Sequence, residues 1–112
     1  MTSKEFLDIL ETCKSKFNFS SMLEELKHGK SYDGIYQELV DKGLTLDYTD
    51  NFGGSERSND YWIVFSVKDK DNQITYFKVP GYYDSYCGGE LYVSQLFQVE
   101  ETEKTVKYWK SI

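Results

Sequence analysis

The stretch that most limits what this chain can fold into runs from Tyr61 to Val79, YWIVFSVKDKDNQITYFKV. Residues 61–67 are β-branched or aromatic almost throughout, the composition of a pleated, mostly buried strand. Residues 68–73 are turn formers, and residues 74–79 return as a second apolar run. The pattern predicts an antiparallel hairpin. Pro80-Gly81 is expected to end it, because proline has no N–H to give to a ladder. In the first strand Tyr61, Ile63, Phe65 and Val67 share one face, and Trp62, Val64 and Ser66 the other. Both faces are largely apolar. One is expected to pack on helices and the other on the rest of a curled sheet.

Helices precede the hairpin. Thr2 and Glu5 have capping-box spacing, and Phe6, Ile9, Leu10, Cys13 and Phe17 form one helical stripe, predicting a helix over residues 3–17. Cys13 lies on that stripe as a small core residue. Asn18-Phe19-Ser20 breaks the pattern. Ser21 and Glu24 form a second capping-box pattern ahead of Met22, Leu23 and Leu26, with Gly29 as the C-terminal stop. Ser31 or Asp33 opens a third short helix through Ile35, Tyr36, Leu39 and Val40, and Gly43 closes it.

Residues 44–49 alternate as a half-buried strand, and 50–60, DNFGGSERSND, reads as a loop. After the hairpin, four tyrosines enclose the turn Gly88-Gly89. Residues 93–99 and 104–112 have strand character. The expectation is one α+β domain: a helical part, 1–43, with two or three helices, packed on an antiparallel sheet of four to five strands, 44–112.

The formal net charge is −6, and it is concentrated. Residues 33–60 hold seven acids against Lys42 and Arg57. Such a field repels nucleic acid and attracts basic surfaces. The plainer alternative, that the acids only keep the chain in solution, carries about even weight. The start of the chain lacks a secretory pattern, and no run approaches the ~20 apolar residues of a membrane span. The two cysteines, Cys13 and Cys87, lie far apart, which suits a reducing cytoplasm.

Few residues carry chemistry. A calcium loop starting at Asp69 fails at its sixth and twelfth positions, Ile74 and Pro80. One histidine, His28, and two separated cysteines do not make a zinc set. Neither a metal nor a cofactor is expected. Cys87, before Gly88-Gly89, is the one candidate nucleophile, with His28 as its base; a semi-buried turn cysteine is several times the commoner case. The tyrosines are the most distinctive feature. Tyrosine surfaces stack nucleic-acid bases when a basic groove accompanies them. Here the charge is opposite, so a protein with a basic patch fits better. The alternative is that some of these rings close the end of a small core.

The run 77–91, FKVPGYYDSYCGGEL, followed by Phe97-Gln98-Val99-Glu100 and Lys104-Thr105-Val106, resembles a pattern in small bacteriophage proteins. These have a "YYxSYxG" loop, an "EV" strand and a final "KTV" strand. The resemblance covers about the last 55 residues. It departs at Cys87 and at Tyr92-Val93. It implies a phage or mobile-element origin, the host bacterial cytoplasm, and by analogy a host-takeover or anti-defence inhibitor of the anti-CRISPR kind.

The reading is therefore a non-enzymatic inhibitor that covers a basic, nucleic-acid-handling surface of a host protein without binding nucleic acid or membrane itself. Asp47, Asp50, Glu56, Asp60 and Glu90 would supply charge, and Tyr82, Tyr83 and Tyr86 anchors. Its rivals are a small enzyme or ligand binder using Cys87, and a virion-associated or housekeeping module.

Overall fold

The computed structural model describes residues 1–29, 34–53, 60–84 and 88–100. Three helices come first: α1 (Ser3–Glu11), α2 (Phe19–Leu26) and α3 (Gly34–Asp41). Five strands follow: β1 (Thr45–Gly53), β2 (Asp60–Lys68), β3 (Ile74–Asp84), β4 (Gly88–Leu91) and β5 (Phe97–Val99). All pairings are antiparallel, in the order β1-β2-β3-β4, with β5 also on β3. The class is α+β, with three N-terminal helices against a five-stranded sheet. The predicted strand 104–112, the predicted caps Ser31 and Asp33, and most of the predicted loop lie outside the described residues.

The helices bury one face of the sheet. Phe6 of α1 is fully buried, with its ring 5.2 Å from Phe77, 5.6 Å from Phe65 and 5.7 Å from Phe19. Met22, Leu23, Ile35 and Leu39 complete the helical side, and Leu46, Ile63, Val67 and Val79 the sheet side. Among the described residues no helix is long and apolar enough to cross a membrane.

The predicted capping box at Thr2 and Glu5 is formed in both directions. The helix it opens is shorter than the predicted 3–17. Thr12 turns its hydroxyl back to the Ile9 carbonyl at 2.6 Å, and Glu38 of α3 accepts the N–H groups of Lys14 and Ser15 at 2.8 and 3.1 Å. Those N–H groups are thereby drawn out of the helix. The chain then makes a 3-10 turn at Lys16–Asn18. As a result Phe17 is 86% exposed, and Phe19, expected in a break, is buried at the start of α2. The second capping box does not form, because α2 begins at Phe19 and Ser21 lies inside the helix rather than at its N-cap; the Glu24 carboxylate instead accepts the Tyr61 hydroxyl at 2.7 Å. Gly43, at φ +86°, closes α3 and lets the Leu44 N–H reach the Leu39 carbonyl at 3.0 Å.

Burial pushes the Glu38 carboxyl up, but hydrogen bonds from the Ser15 hydroxyl, the Lys14 and Ser15 N–H groups and Cys13 outweigh it, leaving its pKa below the ordinary 4.5. A lowered native pKa gives stability that is complete above 4.5 and lost as pH falls through the native value. Glu38→Gln is therefore expected to lower the thermal midpoint at neutral pH, with the gap from the unaltered protein narrowing in acid. Thermal unfolding followed by circular dichroism at both ends of that range checks it. A gap that does not change with pH means the carboxylate charge plays no part.

Strand boundaries differ from expectation in four places; in one, Gly88-Gly89, read as a turn, opens strand β4 and pairs with Tyr83 and Asp84. β1 runs on to Gly53, through the first part of the predicted loop, because residues 50–53 pair with 61–64 of β2. β3 does not stop at Pro80. The Pro80 carbonyl accepts the Tyr92 N–H at 2.8 Å, so the backbone polar groups of this residue face away from β2. Its missing N–H falls where β3 changes neighbour from β5 to β4, and the strand continues to Asp84. Finally, residues 93–99 are not one strand: Val93–Gln95 form a 3-10 turn that seats Leu96 in the core, and only Phe97–Val99 pair. The hairpin turn itself is held by Asp69, whose carboxylate accepts the Asp71 and Gln73 N–H groups at 2.9 and 3.1 Å.

Candidate functional site

The sheet has a second face, and among the described residues no element covers it. It was expected to pack on the rest of a curled sheet; the described strands form a single layer. Its residues follow from the register, since partners across an antiparallel ladder point the same way. One row is Asp47, Ser66, Tyr76 and Val99. The next is Asp50, Val64, Lys78 and Phe97. Then come Phe52, Trp62 and Pro80, and after them Asp60, Tyr82 and Glu90.

A bulge in β1 makes this arrangement. Tyr48 pairs with Phe65 and Asp50 with Val64, which leaves Thr49 as an extra residue. Without it, strict alternation from Leu46 and Tyr48 would turn Asp50 and Phe52 toward the helices. With it, both join Asp47 on the open side. Phe52 then stacks on Trp62, with centroids 5.9 Å apart and planes at 16°. Lys78 Nζ lies 4.3 Å from the centroid of the same indole. Behind the bulge the Tyr48 hydroxyl bonds Asn51 Oδ1. Burial, and secondarily the Asp50 charge, hold that phenol above its usual pKa.

Phe52, Ile74, Tyr82 and Phe97, each between 42% and 54% exposed, all lie on this face. The carboxylates stand around them. Asp47 and Asp50 are on the edge strand β1, Asp60 and Glu90 flank Tyr82 in the end row, and Glu100 follows β5. Lys78 is central and Lys68 is at the far end of β2. The face is thus mixed: aromatic and aliphatic side chains with one central lysine, and carboxylates along its β1 edge, in its end row and after β5.

Of the residues singled out in the sequence, Asp47, Asp50, Asp60, Tyr82 and Glu90 therefore share one face. Tyr83 does not: it lies on the helix side, packed against the core beside Tyr61 and Gly89. Glu56, Tyr86 and Cys87 lie outside the described residues. Phe52, Trp62, Lys78 and Phe97 were not singled out. For Trp62 and Lys78 the signal lies in the two-residue period of the hairpin; Phe52 falls in the predicted loop beyond the β1 bulge, and Phe97 in the predicted strand 93–99.

Among the described residues the helix side shows no comparable surface. Tyr61 is buried under β4, and Lys27 Nζ lies 5.3 Å from its ring centroid. Burial first, then the Glu24 hydrogen bond and charge, push its phenol far above its ordinary pKa. Cys13 is buried, with Sγ 3.6 Å from the Ile9 carbonyl, and its thiol is pushed up, chiefly by burial. His28 is exposed just past α2. Among the described residues no three His, Cys, Asp or Glu side chains converge as metal ligands.

Fold and site together define an α+β protein with one helix-covered sheet face and a second, acid-rimmed face that no described element covers. Comparison of the chain with protein-family models, with curated proteins and with solved structures finds no match.

Proposed function

We propose that this is a non-enzymatic binding protein that docks its open sheet face on a basic surface of another protein. The surface of a nucleic-acid-handling host protein, as an anti-defence inhibitor of phage origin would cover, has the complementary charge. The observation that carries this reading is the placement of Asp47, Asp50, Asp60 and Glu90 around exposed aromatic side chains on one face. The exposed aromatic and aliphatic side chains supply area to bury, and the acids steer encounter and disfavour nucleic acid as the ligand.

The test compares the tagged protein with its Asp47→Lys, Asp50→Lys, Asp60→Lys variant in pull-downs from nuclease-treated bacterial lysate. One stoichiometric partner is expected to leave the unaltered protein at moderate salt and to be missing from the variant. With that partner purified, charge reversal is expected to slow association and flatten its salt dependence. Equal retention by both proteins defeats the reading.

A further inference from the structure

We infer that the recess at the centre of the open face receives one arginine side chain of the docked protein, and that Lys78 stands in for it in the free molecule. This deepens the docking reading and rests on it. The recess has a volume of about 330 Å³, with Trp62, Tyr76, Val64 and Val99 as its aromatic and aliphatic lining. Asp50 and Glu100 bring carboxylates to it from opposite sides of the sheet, one from β1 and one from just beyond β5. An aliphatic stem between two valines, a flat cation against aromatic rings and two anions in reach are what an arginine side chain requires.

Lys78 shows that the site takes a cation. Its ammonium lies against the Trp62 ring, and Phe52 stacks on the same indole. An ammonium makes that contact as a point charge. A guanidinium stacks as a plane and presents a fork to carboxylates, so it displaces the resident lysine, which turns out to solvent. A partner lysine would only repeat what Lys78 already provides. The recess thus selects arginine over lysine, a choice that net charge alone does not make.

Three synthetic peptides test this: an octalysine, the same peptide with one central arginine, and the same with citrulline there. Binding to the full chain is read from Trp62 fluorescence in a Trp109→Phe background, where Trp62 is the only tryptophan. The arginine peptide is expected to bind about tenfold more tightly than the other two and to quench Trp62 more strongly. Lys78→Met is expected to tighten the arginine peptide about fivefold further, and Lys68→Met, the same charge change on the same face, less than about twofold. Equal affinity for the arginine and lysine peptides, or equal effects of the two lysine substitutions, overturns the arginine receptor and leaves the acidic docking face standing. No salt-sensitive binding of any peptide overturns both. The peptide comparison on the unaltered lysines depends on no variant at the recess.

Discussion

Phe6→Ala is expected to remove about 3–5 kcal/mol of stability, enough to leave much of a domain this small unfolded at 37 °C. The Phe6 ring sits where α1, α2 and the β2–β3 hairpin meet, with three other phenylalanine rings within 5.7 Å of it, centroid to centroid. The gap left by alanine has rigid walls on the sheet side, since Phe65 and Phe77 are held by the hairpin ladder. Relaxation into the cavity is therefore limited, which puts the cost toward the upper end of the range. Urea denaturation of Phe6→Ala beside Phe17→Ala is the decisive comparison. Both residues fall on the helical stripe of the sequence, but Phe17 is exposed and its removal is expected to cost less than about 0.5 kcal/mol. Comparable losses would mean that Phe17, not Phe19, belongs to the core.

That pair of residues also shows how far the sequence could be read. Local signals carried the helices and the hairpin: Thr2 with Glu5, Gly43 after α3, and the β-branched run 61–67 against 74–79. Each is decided by residues within a turn or a strand of one another. Where a distant side chain intervened, the local signal misled. Glu38 takes the N–H groups that follow α1 from 23 and 24 residues away, and the Tyr61 hydroxyl engages Glu24 from 37. Pro80 looked like a terminator because its missing N–H was assumed to face a partner strand. Its direction depends on which neighbour lies on which side, and that is a property of the whole sheet.

The site was partly legible for the same reason. Acidic and aromatic composition pointed to the residues, and the two-residue period could sort those within a strand. It could not sort residues across the Thr49 bulge, where the phase slips by one and Asp50 and Phe52 change sides. Nor could it show that the face carrying Trp62 and Val64 is left open by the described elements. An apolar residue facing solvent and one facing a second layer look the same in a sequence.

The end row of that face hangs on a glycine. Gly81→Ala is expected to detach β4 from β3 and to weaken partner binding as a consequence. A Cβ at Gly81 would lie 2.2 Å from the Glu90 carbonyl oxygen, and 3.1 Å from both the Leu91 and Tyr61 side chains. The first contact is with backbone, so no rotamer change relieves it, and the strands must part. Gly81 pairs with Leu91 in the same short ladder that sets Tyr82 beside Glu90. Separation therefore exposes Leu91, opens the cover over Tyr61 and disperses the row of Asp60, Tyr82 and Glu90. An overpacking cost of about 1–3 kcal/mol follows, with a loss of partner affinity exceeding that of Glu90→Ala alone. Gly88→Ala serves as the control. Its Cβ meets nothing within 4 Å, and its φ of +80° costs an alanine about 1 kcal/mol without forcing β4 away. Hydrogen exchange at the residues of the β3–β4 ladder separates the two, being accelerated in Gly81→Ala and near normal in Gly88→Ala. If Gly81→Ala leaves that protection intact, the close approach of β3 and β4 does not hold the row in place, and the docking face ends at Trp62.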